Sequence, residues 1–229
     1  MNKFSHNFSL NGTYLLPPPN TPIQKCIILL HGLGANGENL IDLAHLWAPH
    51  MQGTAFFSPN APFPYEMSGF SSPGGFQWFN FESQDPISLE NGIQIALPYL
   101  STYIDEILEA FSLTPQDIAL VGFSQGAMMA MAVGLRQRPS LGGIVSYSGA
   151  IFTDDPLPLT PPAPICLIHG AQDLIVPPEA FFKAVSYLEK NNAPFESHLL
   201  NDLSHDIDDR GSKIGEDFLI KTLINGDIG

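Results

Sequence analysis

The sequence predicts an α/β fold with a mainly parallel central sheet and helices on both of its faces. Short β-rich runs alternate with longer helical patterns along the 229 residues, which is typical of parallel strands joined by crossover helices. Several runs, such as "CIILL" (26–30) and "IALVG" (118–122), are continuously apolar, as strands covered on both faces require. A chain of this length can bury one substantial core, so we expect a single domain over residues 1–229.

The individual elements follow from local preferences. The Asn-Gly pair in "FSLNGTYLLP" (8–17) predicts a hairpin and an antiparallel element at the N-terminal edge of the sheet. Pro98 lies inside the longest helical pattern, where it predicts a kink or a split, and Arg138 before Pro139 predicts a helix end. The predicted strands are Cys26–Leu30, Thr54–Phe57, Ile118–Gly122, Ile144–Tyr147, Ile165–Ile168 and Glu196–Leu200, and the predicted helices are Glu38–Ala48, Leu89–Phe111, Gln125–Arg138, Glu179–Lys190 and Ser212–Ile224.

The composition restricts the partners and the compartment. A formal net charge of −14 argues against nucleic acid or an anionic membrane as a standing partner, since both are polyanions. The start of the sequence, "MNKFSHNFSLNG" (1–12), has no apolar run of signal-peptide length, and no stretch approaches the roughly 20 apolar residues that span a bilayer, so no membrane insertion is expected. Cys26 and Cys166 each lie in an apolar run. Buried free thiols suit a reducing compartment, and the cytoplasm is the expected location.

One short motif predicts a nucleophile. Gly122, Ser124 and Gly126 form Gly-x-Ser-x-Gly, directly between a predicted strand and a predicted helix. At a sharp strand-to-helix turn the central side chain is pushed outward, and small residues two positions away on either side let strand and helix approach closely. The competing interpretation is a chance spacing of glycines, which would not require this strand–helix setting. We therefore predict that Ser124 is a nucleophile.

A serine hydroxyl is a weak nucleophile, so it needs a base and a group that orients the base. Asp173 follows the predicted strand at 165–168, and His205 follows the predicted strand at 196–200. The chain order Ser124, Asp173, His205 is the Ser…acid…His order of one class of serine hydrolases. Because each residue follows a different strand at the same edge of the sheet, we predict that they meet as a catalytic triad.

The remaining histidines and acids fit other roles. His31 and His169 precede glycines at strand ends and are predicted to be structural, whereas His205 alone among the seven histidines lies in a loop after the last predicted strand. No HExxH pattern or Cys/His cluster occurs in the sequence, so no catalytic metal is predicted. Three further acids are too close in sequence to His205 to orient it, and they are expected to lead into the last helix, where negative charge is favourable: Asp206, Asp208 and Asp209.

Acyl transfer also needs donors for the developing oxyanion. The glycine-rich stretch "LLHGLGANGEN" (29–39) follows the first apolar strand, where backbone N–H groups can be left free. The expected donors are the backbone N–H groups of Leu33 and Gln125. The same stretch lacks the spacing of a P-loop or of a dinucleotide-binding turn, so no nucleotide cofactor is predicted.

These and other motifs carry a family resemblance over most of the chain. Besides the glycine-rich stretch they are "PNAP" (59–62), "WFN" (78–80), "GFSQGAMMA" (122–130), "HGAQDLIVP" (169–177) and "SHDI" (204–207). Through them the chain resembles the carboxylesterase/phospholipase family of small α/β-hydrolases, which includes acyl-protein thioesterases and lysophospholipases.

The resemblance implies a serine hydrolase that cleaves carboxylic esters through an acyl-enzyme and needs no cofactor. It implies the same roles for Ser124, Asp173, His205, Leu33 and Gln125, an ester or thioester substrate such as a lipid or an acylated protein, and a homodimer. The length of the acyl chain is left open, because the abundant Phe and Met side chains could line a groove or fill a core. The alternative function is a catalytically silent binding protein with a hydrolase fold, although such relatives typically lose a triad member.

Two departures from the family concern the substrate. Asn80 stands where many members have Asp, and the segment "YEMSGFSSPGGF" (65–76) is distinctive. In the family this region borders the substrate groove, so the segment is either a flap over the site or an ordinary surface loop. Within and beside it, Met67, Trp78 and Phe79 are expected to contact the substrate.

Overall fold

The structure of the protein is a computed structural model. It describes residues 8–65, 75–81, 85–136, 139–153, 155–157 and 162–226. A seven-stranded sheet runs through the molecule in the order β1–β3–β2–β6–β7–β8–β9, and β4 and β5 form a separate two-stranded hairpin. The strands are β1 (Gly12–Leu15), β2 (Lys25–Leu30), β3 (Thr54–Pro59), β4 (Phe63–Tyr65), β5 (Gly75–Gln77), β6 (Ile118–Phe123), β7 (Gly143–Tyr147), β8 (Ile165–Gly170) and β9 (Phe195–Leu200).

Within the described ranges, five α-helices and several shorter turns connect the strands. The helices are α1 (Ile41–Trp47), α2 (Pro86–Phe111), α3 (Gln125–Gly134), α4 (Pro178–Lys190) and α5 (Asp209–Leu219). Short 3₁₀ turns occur at Gly37–Asn39, Ala48–His50 and Pro115–Asp117, and a π-helical turn, Ile220–Ile224, follows α5. None of the helices in the described ranges is long and apolar enough to cross a membrane.

Both faces of the sheet are covered, which explains the continuously apolar strands. In β2, Cys26, Ile28 and Leu30 face the core formed with α2, α3 and α4, while Ile27 and Leu29 face the core formed with α1 and α5. Since alternate residues of a strand point to opposite faces, a strand covered on both sides must be apolar throughout. The predicted α/β fold with helices on both faces is confirmed.

The N-terminal edge is antiparallel as predicted, but the predicted hairpin is wrong. β1 pairs with β3, from Gly12 opposite Pro59 to Leu15 opposite Phe56, and every other pairing within the large sheet is parallel. A Cβ at Gly12 would collide with the backbone of Ser58 and Pro59. The glycine of the Asn-Gly pair therefore permits a close strand–strand approach instead of forming a two-residue turn.

The helix around Pro98 is not split. α2 runs without interruption from Pro86 to Phe111. Pro98 cannot donate a hydrogen bond to the carbonyl of Gln94, but both residues are exposed, so water can satisfy that carbonyl. The opposite side of α2 stays buried against the sheet through residues such as Ala96 and Leu100, and this packing holds the helix together.

Other helix boundaries also differ from the predicted ones, and α2 begins at Pro86, three residues before the predicted Leu89. The predicted helix Glu38–Ala48 begins as the 3₁₀ turn Gly37–Asn39, because the Asn36 side chain accepts a hydrogen bond from the N–H of Glu38. α3 ends at Gly134 instead of Arg138. α5 begins three residues before the predicted start, because the side chain of Asp208 accepts a hydrogen bond from Gly211 and caps the helix.

Candidate active site

Ser124 occupies a strained turn between β6 and α3. Its backbone has φ 53° and ψ −117°, in the region of positive φ that residues other than glycine rarely adopt. The backbone N–H of Ser124 donates to the carbonyl of Tyr147 on β7 at 2.9 Å, and its own carbonyl accepts from Met128 at 3.1 Å. A Cβ on Gly122 would collide with the backbone of Gly126 and Ala127. The turn therefore has room only for glycine there.

Asp173 and His205 form a hydrogen-bonded pair beside this turn. His205 Nδ1 lies 2.7 Å from Asp173 Oδ2, and Asp173 is 1% exposed. The other oxygen of Asp173 accepts hydrogen bonds from the backbone N–H groups of Ile175 and Val176, both at 2.9 Å. Burial by itself would raise the pKa of Asp173. The hydrogen bonds from His205, Val176 and Ile175 outweigh burial, so the pKa lies below its usual value and the carboxylate is ionised.

Two other histidines near the site have fixed structural roles. His31 Nε2 accepts a hydrogen bond from the N–H of Ala61 at 3.0 Å, and its Nδ1 lies 2.7 Å from the carbonyl oxygen of Gly32. These two partners indicate that the ring of His31 is neutral and carries its proton on Nδ1. Burial lowers the pKa of His31 to about 4. His169 Nε2 donates to the carbonyl of Val176 at 2.8 Å, and burial lowers its pKa as well.

A cavity of about 580 Å³ opens beside these residues. Ser124, His205, Leu33 and Gln125 line it, whereas Asp173 lies behind His205 and does not. The ring of Phe123 packs on His205 with centroids 4.8 Å apart. Most of the cavity wall is apolar. Its apolar residues come from α1 and the residue before it, from the segment after β5, from the start of α3 and from the loop after β9, and include Leu40, Leu43, Leu46, Phe81, Met128 and Ile207.

The predicted oxyanion donors lie on two adjacent segments. Gln125 is the first residue of α3, so its N–H has no partner within the helix. Leu33 lies in the turn after β2, and the neighbouring Gly34 and Ala35 exchange backbone hydrogen bonds with Phe76 of β5 at 2.9 and 2.8 Å. Among the residues that the structure describes, none accepts a hydrogen bond from the N–H of Leu33 or Gln125. Both groups are thus free to donate to a ligand.

The side chain of Gln125 forms a clamp that the sequence did not reveal. Its Oε1 accepts a hydrogen bond from the backbone N–H of Trp78, and its Nε2 donates to the backbone carbonyl of Phe79, both at 2.8 Å. Gln125 is 1% exposed. The indole N–H of Trp78 donates to the carbonyl of His31 at 3.0 Å. Residues 76–79 therefore contact both segments that carry the predicted donors.

Trp78 and Phe79 do not lie where we expected them. They are 0% and 1% exposed and belong to the core on the α2 face, and it is Phe81 that reaches the cavity wall. Nothing in the sequence around Trp78 and Phe79 distinguishes side chains that fill the core from side chains that line the substrate pocket. Met67 and residues 66–74 of the predicted flap lie outside the described residues. The flanking residues form the β4–β5 hairpin, with Tyr65 opposite Gly75.

Comparison with known proteins decides the family. The family described as Phospholipase/Carboxylesterase matches residues 14–223. The chain belongs to this family. It is 31% identical over 170 residues to acyl-protein thioesterase 1 of Emericella nidulans, covering 67% of this chain and 71% of the relative. It is 24% identical over 211 residues to esterase YpfH of Escherichia coli, covering 92% and 88%.

A solved structure shows the same fold. The crystal structure of esterase PE8 superposes with a TM-score of 0.84 at 31% identity, covering 93% of this chain and 99% of that one. A carboxylesterase of Bacillus cereus, at 18% identity and a TM-score of 0.77, shares the fold. The α/β-hydrolase fold and the carboxylic ester hydrolase class that the sequence predicted are confirmed.

Proposed function

We propose that this ester hydrolase works through an acyl-enzyme on Ser124, with His205 as the base and Asp173 as the group that orients it. The observation that carries the proposal is the 2.7 Å contact between His205 Nδ1 and Asp173 Oδ2, made at the wall of a cavity that Ser124 and His205 share. The contact fixes the ring so that Nδ1 carries a proton and Nε2 is left to accept one. An ionised, buried Asp173 then stabilises the imidazolium that forms.

In the acylation half-reaction, Ser124 Oγ attacks the carbonyl carbon of the substrate while its proton passes to His205 Nε2. The carbonyl oxygen becomes an oxyanion and accepts hydrogen bonds from the N–H groups of Leu33 and Gln125. Collapse of this tetrahedral intermediate expels the alcohol or thiol, which takes the proton from His205. The alcohol or thiol leaves, and the acyl group stays as an ester of Ser124.

In the second half-reaction, water attacks the acyl-enzyme. His205 takes a proton from the water as it adds to the carbonyl carbon, and the same two N–H groups stabilise the second oxyanion. The proton then returns to Ser124 Oγ as the acid departs. Because the strained turn holds Ser124 in one position, the serine needs little rearrangement between the two half-reactions.

The apolar wall supports an acyl substrate. Leu43 and Leu46 of α1 and Met128 of α3 offer aliphatic and thioether surface on which burying a methylene group contributes about 0.8 kcal/mol. An acyl chain of a lipid or of an acylated protein fits this chemistry, through either an ester or a thioester.

We propose that the enzyme acts in a reducing compartment such as the cytoplasm, in keeping with its buried free thiols Cys26 and Cys166. We also propose that it forms a homodimer.

The test is a series of p-nitrophenyl esters and acyl thioesters of increasing acyl length, with Ser124→Ala as the control. We expect turnover by the wild type and a loss of at least about 10³-fold in the variant, as for removal of a serine nucleophile. Greatest activity on short acyl chains would contradict a lipid or an acylated protein as the substrate. Equal activity of wild type and Ser124→Ala would contradict the nucleophile.

The alternative of a silent binding protein makes a different prediction. A fluorophosphonate probe should label the folded wild type on Ser124 and should not label Ser124→Ala. An unlabelled wild type that still binds long-chain acids would favour the silent alternative. Catalysis is supported by the strained turn of Ser124 and by the His205–Asp173 contact beside one shared cavity, since a binding protein would need neither.

A further inference from the structure

A second cluster of reactive side chains lies on the neighbouring strands β8 and β9. Cys166 and Glu196 are opposite one another in the parallel register, and His198 lies two residues further along β9. Side chains two apart on a strand project from the same face, so all three meet there. One ligand atom from each residue lies within 4.8 Å of the other two. The cluster is separate from the residues that line the cavity.

The spacing of these atoms is that of a metal coordination shell. Cys166 Sγ lies 3.6 Å from Glu196 Oε1, and His198 Nε2 lies 3.3 Å from the same oxygen. A tetrahedral zinc ion with Zn–S of about 2.3 Å and Zn–N and Zn–O of about 2.0 Å separates sulfur from oxygen by about 3.5 Å and nitrogen from oxygen by about 3.3 Å. Two edges of the tetrahedron are therefore already formed.

We propose that Cys166, Glu196 and His198 bind a zinc ion or a closely similar divalent transition-metal ion. A thiolate and an imidazole select such ions over Mg²⁺ and Ca²⁺, which prefer oxygen ligands. Three protein ligands leave the fourth tetrahedral position to water. The site differs from the catalytic chemistry proposed above and does not depend on it.

The exposure of the three side chains lets a metal ion reach the cluster from solvent. The side chains of His198 and Glu196 are 36% and 40% exposed, so an ion can enter from solvent and the imidazole can turn towards it. Cys166 is 0% exposed and forms the inner wall. Burial, followed by the nearby Glu196 carboxylate, raises the pKa of the Cys166 thiol. Without a metal the thiol therefore stays protonated and donates a hydrogen bond to Glu196 Oε1.

Binding exchanges one bond at sulfur for another. The S–H bond of Cys166 breaks, its proton passes to solvent, and a sulfur–metal bond forms without any change in oxidation state. The positive charge of the ion offsets both the thiolate and the Glu196 carboxylate. Because β8 leads to Asp173 and β9 leads to His205, the ion would tie together the two strands that present this pair.

The experiment uses the full-length protein, stripped of metal with a chelator and then titrated with Co²⁺ or Zn²⁺. Co²⁺ reports thiolate ligation through a sulfur-to-metal charge-transfer band in the near ultraviolet, and Zn²⁺ is followed by competition with a chromophoric chelator. The variants are Cys166→Ser, Glu196→Gln and His198→Gln. The last two alter partly exposed side chains and should stay folded, as circular dichroism can verify. The matched control is Cys26→Ser, which removes the other buried thiol.

We expect one ion per chain and a charge-transfer band in the wild type and in Cys26→Ser. The band should be absent in Cys166→Ser. Zinc affinity should fall in His198→Gln and Glu196→Gln by at least the roughly 10–100-fold that loss of an outer-shell partner costs. The thermal midpoint should rise with zinc in the wild type and in Cys26→Ser only. No band in the wild type, a band that persists in Cys166→Ser, or unchanged zinc affinity in His198→Gln would overturn the proposal.

Discussion

The Gln125 clamp makes the most specific prediction about the active site. Gln125→Met keeps the length and the apolar volume of the side chain but removes both 2.8 Å hydrogen bonds, those to the backbone N–H of Trp78 and to the backbone carbonyl of Phe79. Trp78 and Phe79 are both buried, so two main-chain polar groups are left without partners. The backbone N–H of Gln125 itself remains.

The cost in stability follows from those two orphaned groups. An unsatisfied buried donor or acceptor costs about 1–3 kcal/mol, so the variant should lose about 2–6 kcal/mol of its free energy of unfolding. For a chain of about this length, 1 kcal/mol corresponds to about 2–4 °C, and we expect a fall of about 4–24 °C in the thermal midpoint. A domain with a total stability of about 5–15 kcal/mol stays folded at 25 °C over most of this range.

The cost in activity arises from the position of the N–H group. A displacement of about 1 Å can lower a rate by about 10²-fold, and complete loss of one oxyanion donor costs about 10²–10³-fold in kcat. We therefore expect kcat of Gln125→Met to fall by about 10- to 10³-fold at 25 °C. KM should change much less, because the N–H group contacts the oxyanion only as it develops.

Steady-state kinetics on a p-nitrophenyl ester and differential scanning fluorimetry measure both effects. The control is Gln77→Met in the β4–β5 hairpin. It removes only the exposed 3.4 Å hydrogen bond from Gln77 Nε2 to the carbonyl of Pro64. It should leave both kcat and the thermal midpoint nearly unchanged. If Gln125→Met lost stability but kept the kcat of the control, the clamp would be structural and its positioning role would be refuted.

The other predictions concern Asp173 and the glycines of the nucleophile turn. Asp173→Asn should lower kcat by about 10⁴-fold, because an amide no longer fixes the ring tautomer; a fall of less than tenfold would contradict its role. Since the pKa of Asp173 is depressed in the folded protein below its usual 3.8, its ionisation contributes stability at pH values above 3.8, and this contribution is lost as the pH falls through the depressed pKa. The acid-induced drop in thermal midpoint should therefore be shallower in the Asn variant. Gly126→Ala should destabilise the fold by more than about 1 kcal/mol, because its Cβ collides with the backbone of Leu30; Gly211→Ala, whose Cβ finds only ordinary contacts of 3.4 Å or more, is the control in chemical denaturation.

The sequence predicted those features that depend on local spacing. Gly122, Ser124 and Gly126 predicted the turn because its steric demands fall within five residues. Asp173 and His205 can be predicted as partners of Ser124 because each follows a strand, and parallel strands end at one edge of a sheet. The structure brings Asp173 and His205 into contact at that edge, and Ser124 lies with His205 at the same cavity.

Features that depend on contacts between distant segments were missed. The sequence gives no sign that Gln125 reaches Trp78 and Phe79, which are more than 40 positions away, or that Cys166 meets Glu196 and His198. The prediction of a hairpin around Gly12 is wrong for a similar reason. An Asn-Gly pair favours a turn locally, but the unpaired edge of β3 offered β1 a larger set of hydrogen bonds.

Residues 76–79 hold both segments that carry the proposed oxyanion donors through main-chain atoms, so the number of residues in this segment matters as well as their identity. Phe76 exchanges backbone hydrogen bonds with the turn that carries Leu33, and Trp78 and Phe79 offer their backbone N–H and carbonyl to Gln125. Removing or inserting one residue between positions 76 and 78 would shift one donor relative to the other. A designer grafting new loops onto this scaffold must therefore keep the length of this segment as well as its buried Trp78 and Phe79 side chains.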